Sequence, residues 1–106
     1  MKTLQFEFNG CEYNLAFTRE SVKTMEQEGF DATKMESMPF TMLPKLFYGA
    51  FHVYHKGISR KKVDEIWDAF GEDKTSVVEA LTELYVDTLN SLISGESTKK
   101  IQWEIR

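Results

Sequence analysis

The sequence predicts an α+β domain in which an N-terminal β-hairpin packs on a cluster of about four α-helices. Two observations lead to this fold class: an alternating apolar pattern around Asn9-Gly10 and four later segments with helical apolar spacing. An aromatic content of 13% indicates in addition that the chain is folded and not disordered. A chain of 106 residues suits one domain and can bury a core without disulfides or metals. We expect a single globular domain over residues 1–95 and a tail over 96–106.

The hairpin is predicted from two alternating segments on either side of Asn9-Gly10. This dipeptide favours a type I′ turn, because both central residues of that turn need a positive φ. The turn sets a register that puts the apolar residues of both segments on one face: Leu4, Phe6, Phe8, Cys11, Tyr13 and Leu15. Cys11 is then expected to be a small buried hydrophobe. As the single cysteine, it cannot form an internal disulfide, which fits a reducing compartment.

The first two helices are predicted from their end signals. The first begins after the N-cap Thr18 and ends before Gly29, in a Schellman motif that brings Phe30 back to Met25. The second is expected to start at the cap Thr41, with Pro44 in its first turn, and to run to Gly57. This helix is apolar on more than one face, since its main stripe is accompanied by Met42, Tyr48 and Val53. Such a helix is either central to the core or covered by a partner.

The C-terminal half predicts two more helices and possibly a short strand. One helix begins after Ser59 and ends at Gly71, and the last runs from about Asp73 to Ser94. The inner face of the last helix is predicted to hold Val77, Leu81, Leu84, Tyr85, Leu89 and Leu92. In the tail, Ile101, Trp103 and Ile105 alternate with polar residues, as in a strand. This strand would either join the hairpin or offer an edge to another chain.

Composition excludes several functional classes. The net charge of −4 and the pI of about 5.2 argue against a nucleic-acid partner, which needs a basic face. No apolar run approaches the ~20 residues of a membrane span. The N-terminus lacks the apolar stretch of a secretory signal. We therefore expect a cytoplasmic protein that binds neither nucleic acid nor membrane.

The titratable residues give no convincing catalytic or metal site. His52 and His55, three positions apart, could supply two metal ligands, whereas zinc needs three or four. Arg60, Lys61 and Lys62 form the one basic cluster, and Asp64 and Glu65 lie one turn later. This cluster is either a solvated face in which Arg60 and Lys61 pair with those carboxylates, or a docking patch. We expect no catalytic residue, no cofactor and no stoichiometric metal.

Several motifs together carry a resemblance that covers most of the chain and weakens after about Ser94. They are Phe6-Glu7-Phe8-Asn9-Gly10 followed by Tyr13, then Phe17-Thr18-Arg19-Glu20-Ser21-Val22, Met25-Glu26, Glu28-Gly29-Phe30-Asp31, and Pro44-Lys45-Leu46-Phe47-Tyr48-Gly49-Ala50-Phe51. In order and spacing, this set resembles the tail assembly chaperones of long-tailed phages and prophages of Gram-positive bacteria. The shared motifs are structural and include no catalytic group.

The resemblance implies a non-catalytic protein that binds the tape measure protein, keeps it soluble and helps to recruit tail tube subunits. Proteins of this kind often self-associate, act in the bacterial cytoplasm and are usually absent from the finished virion. In many phages a frameshift adds a longer C-terminal domain, and this chain resembles the short form. Two other classes stay open: a small adaptor or regulatory protein, and a small metal-binding protein that uses His52 and His55.

Two candidate partner-binding surfaces follow from the residues themselves. The first, for the client, combines Tyr48 and His52 with the nearby basic residues Arg60 and Lys61, because a groove between helices suits an incoming amphipathic helix. The second comprises the tail residues Ile101, Trp103 and Ile105 and is expected to mediate self-association.

Overall fold

A computed structural model describes residues 2–94 and 104–105 of the chain. It confirms the predicted class: an antiparallel two-stranded hairpin is followed by four helices. The strands are β1 (Leu4–Phe8) and β2 (Cys11–Leu15), and the helices are α1 (Arg19–Gln27), α2 (Pro39–Gly49), α3 (Arg60–Ala69) and α4 (Lys74–Ser94). Short 3₁₀ turns at Ala32–Lys34 and Gly71–Asp73 precede α2 and α4.

The hairpin has the predicted turn and register. Asn9 and Gly10 have φ values of 51° and 78°, as a type I′ turn requires. The pairs Leu4–Leu15, Phe6–Tyr13 and Phe8–Cys11 lie opposite each other. Tyr13 and Leu15 are buried, whereas the three apolar residues of β1 are half-buried at the edge of the core. The predicted burial of Cys11 is wrong: its side chain is exposed, because it adjoins the turn, beyond the helices that cover Tyr13 and Leu15.

Helix α1 is bounded by the two predicted capping motifs. The Thr18 hydroxyl accepts a hydrogen bond from the Ser21 amide (3.1 Å), and the Ser21 hydroxyl accepts one from the Thr18 amide (2.9 Å). At the other end Gly29 has a φ of 99°, and the Phe30 amide donates to the Met25 carbonyl over 2.9 Å. These bonds form the predicted Schellman ending.

Helix α2 has different ends from those predicted. It begins at Pro39 and has no side-chain cap, so the predicted start at Thr41 is wrong. Proline suits the first helical position, because its φ is already helical and its missing N–H would have no partner there. Pro44 consequently lies inside the helix and not in its first turn.

The predicted extension of α2 to Gly57 is also wrong, since the helix ends at Gly49. The amides of Phe51 and His52 donate to residues three positions back, over 3.1 and 3.2 Å. Across the core, the Ala16 amide donates to the Ala50 carbonyl over 3.1 Å. A continuing α-helix would use this carbonyl for the amide four residues later. The chain after β2 therefore helps to end α2 and to turn residues 50–54.

The two apolar faces of α2 are explained by a central position in the core. Met42, Leu46 and Phe47 are buried, and Phe51, just after the helix, is fully buried. The rings of Phe47 and Phe51 meet edge to face with centroids 5.1 Å apart. Val53 and Tyr48 are only half-buried, so the side of α2 nearest to them is not fully covered.

Helices α3 and α4 follow their predicted bounds closely. The Ser59 hydroxyl accepts from the Lys62 amide over 3.1 Å, and Gly71 has a φ of 54° after α3. In α4, the predicted inner residues Val77, Leu81, Leu84 and Tyr85 are buried and Leu89 is half-buried. Leu92 is a correction, because it is 61% exposed. The last turns of α4 extend past the core.

Candidate partner-binding surface

Three of the predicted client-binding residues meet where α2 ends and α3 begins. The ring centroids of Tyr48 and His52 are 5.3 Å apart, with the ring planes at 77°. The Cζ atom of Arg60 lies 4.4 Å from the centroid of the Tyr48 ring, which is within range of a cation–π contact. Tyr48 and His52 are half-buried and Arg60 is exposed. We call these three residues the Tyr48 cluster.

Local sequence explains why these side chains meet. Tyr48 lies in the last turn of α2, and the turn after Gly49 places His52 four residues later beside it. Ser59 caps α3, so Arg60 becomes the first residue of that helix. A cation at this end is disfavoured by the helix dipole, and stacking on Tyr48 gives it a compensating contact.

The pairing predicted for the basic residues is wrong. Lys62, not Arg60 or Lys61, contacts a carboxylate: its Nζ atom lies 3.9 Å from Oε2 of Glu65. Lys62 also lies over the Phe8 ring, 5.4 Å from its centroid. Lys61 is exposed, and within residues 2–94 no ion pair involves it. The outward charges of Arg60 and Lys61 are thus not neutralised by the two carboxylates expected to pair with them.

A groove borders the Tyr48 cluster between α1 and the turn that follows α2. It has a volume of about 560 Å³ and is lined by Thr18, Glu20, Ser21, Thr24, His52, Val53 and Lys56. On the other side of Tyr48, Lys45 and Arg60 line a smaller recess beside Met25 of α1. The Nζ atom of Lys45 donates to the Glu28 carbonyl at the end of α1 over 3.1 Å. The cluster therefore lies between two depressions whose linings contain charges of both signs, with Glu20 and Lys56 in the first and Glu28, Lys45 and Arg60 in the second.

His52 has an unusual polar environment. Its Nε2 atom is buried and has no hydrogen-bond partner, the one such side-chain atom found in the described part of the chain. A buried polar atom without a partner costs about 1–3 kcal/mol of stability.

Substitutions of the two histidines are expected to have opposite effects on stability. Unlike His52, His55 has a partner, since its Nε2 atom accepts from the Asn14 amide over 3.1 Å. We expect His52→Phe to raise the free energy of unfolding by about 1 kcal/mol and His55→Phe to lower it by about 1–2 kcal/mol. Urea unfolding followed by circular dichroism measures both. Equal shifts of the two midpoints would contradict the difference in hydrogen bonding.

The histidine pair does not resemble a metal centre in this structure. His55 Nε2 is engaged by the Asn14 amide, and its ring packs 5.2 Å from Tyr13. His52 instead faces Tyr48. Within residues 2–94 and 104–105, no group of three or more His, Cys, Asp or Glu could hold an ion.

The predicted tail surface is described only in part. Ile101 and Trp103 lie outside the described residues, as does most of the possible C-terminal strand. Ile105 is described and is 91% exposed. Self-association through these three residues stays a prediction.

Sequence reasoning missed a second exposed apolar surface, on the last three turns of α4. Ile93 is 87% exposed and Val86 is 44% exposed, alongside Leu92. Val86, Leu89 and Ile93 are spaced by three and four residues, which is the spacing of a helix face. The spacing is visible in the sequence, but periodicity alone does not show that this side of α4 stays uncovered. Phe40, 97% exposed at the start of α2, was missed as well.

The fold and these surfaces define a small α+β domain whose notable exposed features are aromatic, basic and apolar side chains. The chain belongs to the family DUF5055, a domain of unknown function, because the model of this family matches residues 1–106. No curated protein and no solved structure matches the chain. No helix in the described part combines the length and the hydropathy needed to cross a membrane.

Proposed function

We propose that this protein is a non-catalytic tail assembly chaperone that binds a tape measure protein and assists assembly of the tail tube. It would act in the cytoplasm of the bacterial host and leave before the virion is complete. The resemblance of the motifs from Phe6 to Phe51 suggests this class. The observation that carries the proposal on the structural side is the Tyr48 cluster beside the groove along α1.

The cluster has the composition of a protein-binding surface. Tyrosine and arginine are enriched at the energetic centres of interfaces, because a rigid aromatic ring loses little entropy when it is covered and a planar guanidinium can both stack and donate several hydrogen bonds. The neighbouring groove is flanked by α1, so a helix of the client could lie along it with its apolar residues toward Val53 and Tyr48. Lys56 in the groove and Arg60 in the Tyr48 cluster would favour acidic residues on that helix, whereas Glu20 in the groove would favour a basic residue.

The exposed apolar area near the Tyr48 cluster is modest, which suits a folded protein that binds a client reversibly. Large continuous patches would cause aggregation, whereas scattered ones are ordinary. Here the aromatic residues of the cluster are half-buried and surrounded by charged side chains. A tape measure protein is a long helical chain that exposes apolar residues before the tube surrounds it, so a chaperone must cover them reversibly.

The test of the client surface compares two tyrosines. We expect Tyr48→Ala to weaken binding of the tape measure protein at least about tenfold, equivalent to about 1.4 kcal/mol, because the substitution removes the ring under Arg60. Tyr54→Ala is the matched control, since Tyr54 is 50% exposed and lies outside the cluster. Titration calorimetry with a purified tape measure fragment measures both, after circular dichroism confirms folding. If the two variants bind the fragment with equal affinity, the Tyr48 cluster is not part of the binding surface.

Self-association is the second part of the proposal. Ile101, Trp103 and Ile105 alternate as in an edge strand, and Ile105 is exposed. We expect Trp103→Ala to shift the protein toward a smaller assembly in size-exclusion chromatography with light scattering, without loss of helical content. An unchanged molar mass would show that the tail does not mediate self-association. It would not bear on the proposed client surface.

A further inference from the structure

We propose that the outer face of the last turns of α4 is a second docking surface, and that its partner is an amphipathic helix with basic residues along one side. This surface, the α4 outer stripe, consists of Val86, Leu89 and Ile93. It is distinct from the Tyr48 cluster. The inference goes beyond the proposed function, because it concerns a different face and does not require that the partner be a tape measure protein.

The outer stripe has the geometry of a helix-packing surface. Thr82, Val86, Leu89 and Ile93 follow each other at intervals of four, three and four residues, so they lie in one row along α4. Along this row Val86 is 44% exposed, Leu89 is half-buried and Ile93 is 87% exposed, so the free surface is largest at the end of the helix. A partner helix could therefore pack along the row for three turns without displacing the core.

Charge decides which kind of helix fits. Glu79, Glu83 and Asp87 are exposed at four-residue intervals and form an acidic edge beside the row. The Nζ atom of Lys2 lies 3.2 Å from Asp87 and 3.9 Å from Glu83, but these side chains are 45–72% exposed, so the pairing is weak. After Lys74, α4 itself contains no basic residue. Three carboxylates against one ammonium favour lysine or arginine on the partner.

The end of α4 adds little to this preference. Its last turn has no basic side chain of its own, and the C-terminal end of a helix carries a partial negative charge. Arg19, the first residue of α1, donates a hydrogen bond to the Ser91 carbonyl over 2.6 Å and so satisfies one of the last carbonyls of α4. The acidic edge is therefore the main reason to expect a positively charged partner, because Arg19 already supplies a cation at the helix end.

A second copy of the chain fits the stripe less well. In a symmetric antiparallel pair, each flank of one helix meets the same flank of its mate, so the two acidic edges would face each other. A stripe of three apolar side chains also offers a few hundred Å², below the ~800 Å² per partner of a stable interface. Weak, reversible binding of a basic helix is the outcome that both the size and the charge favour.

The experiment uses the full chain and synthetic peptides. The probe is a fluorescein-labelled amphipathic peptide of about 20 residues, long enough for a helix, with leucines at heptad spacing and lysines on the flanks. A second peptide carries glutamates in place of the lysines. We expect fluorescence anisotropy to show binding of the lysine peptide at least about tenfold tighter than that of the glutamate peptide, and weaker binding at about 0.5 M salt.

Two pairs of variants assign the binding to the stripe. Ile93→Ser should weaken binding of the lysine peptide about tenfold, whereas Phe40→Ser, which removes an equally exposed apolar residue from another helix, should not. The double variant Glu79→Gln and Glu83→Gln should reduce the preference for lysine over glutamate, and Glu12→Gln with Glu36→Gln should leave it unchanged. All four residues in these charge variants are exposed.

Three results would overturn the proposal. One is equal binding of the lysine and glutamate peptides, and another is equal binding by the Ile93→Ser and Phe40→Ser variants. The third is a dimer in sedimentation equilibrium that Ile93→Ser dissociates, because a second copy would then cover the stripe. None of these results bears on Tyr48, so failure here is distinguishable from failure of the proposed client surface.

Discussion

Phe51→Ala is expected to lower the free energy of unfolding by about 3–5 kcal/mol, the usual range for a buried phenylalanine truncation. Phe51 is fully buried just after α2, and its ring contacts those of Phe6, Tyr13 and Phe47 at centroid distances of 6.5, 6.0 and 5.1 Å. It therefore joins the hairpin to the helices. Domains of this size have about 5–15 kcal/mol of stability, so the variant should lose much of it. Urea unfolding measures the change.

Phe40 provides the control for that measurement. It is 97% exposed, so Phe40→Ala should change the free energy of unfolding by less than about 0.5 kcal/mol. If both variants unfold at the same urea concentration, the hairpin and the helices do not share the core described here.

Gly49→Ala is expected to destabilise the protein by about 1–3 kcal/mol, because an added methyl group has no room. A Cβ atom at Gly49 would lie 2.5 Å from Sδ and 2.6 Å from Cγ of Met25, which is itself buried. Close contact between α1 and α2 thus depends on the absence of a side chain at this position. The contact also positions Tyr48, the neighbouring residue, beside α1.

A double-mutant cycle tests this close contact. Met25→Ala alone should cost about 2–5 kcal/mol, because it leaves a cavity. In the Met25→Ala background, Gly49→Ala should cost little or even stabilise, since the new methyl group partly fills that cavity. Additive losses in the double variant would show that Met25 and Gly49 are not in contact.

Local signals in the sequence predicted much of the fold. The Asn9-Gly10 turn, the Thr18 and Ser59 caps and the Gly29 ending each depend on residues within a few positions, and all are present. The end of α2 could not be predicted in this way. It depends on the bond between the Ala16 amide and the Ala50 carbonyl, which are 34 residues apart.

Periodicity also could not predict which residues are buried at the margins of the fold. Cys11 belongs to the inward column of β2, and Leu92 belongs to the inner row of α4, yet both are exposed. Periodicity gives the direction of a side chain but not the point where the covering elements stop. The same limit explains why the α4 outer stripe was missed.

The candidate client surface was predicted in part. Spacing along one helix suggested Tyr48 and His52, and proximity in sequence suggested Arg60. The stacking of Arg60 on Tyr48 and the unpartnered Nε2 atom of His52 depend on how α2 turns into α3, which follows from tertiary structure. Lys61 stays an exposed neighbour for which the structure gives no contact with Tyr48.

The central claim is that this protein binds a tape measure protein as a tail assembly chaperone. The most direct measurement is a pull-down with the tagged full chain from cells that also express a tape measure protein and a tail tube protein, followed by mass spectrometry of the bound proteins. The Tyr48→Ala variant serves as the matched control. We expect the tape measure protein to be the principal bound protein with the wild type and to be depleted with Tyr48→Ala. Absence of the tape measure protein from both samples, although it is present in the lysate, would contradict the proposed function.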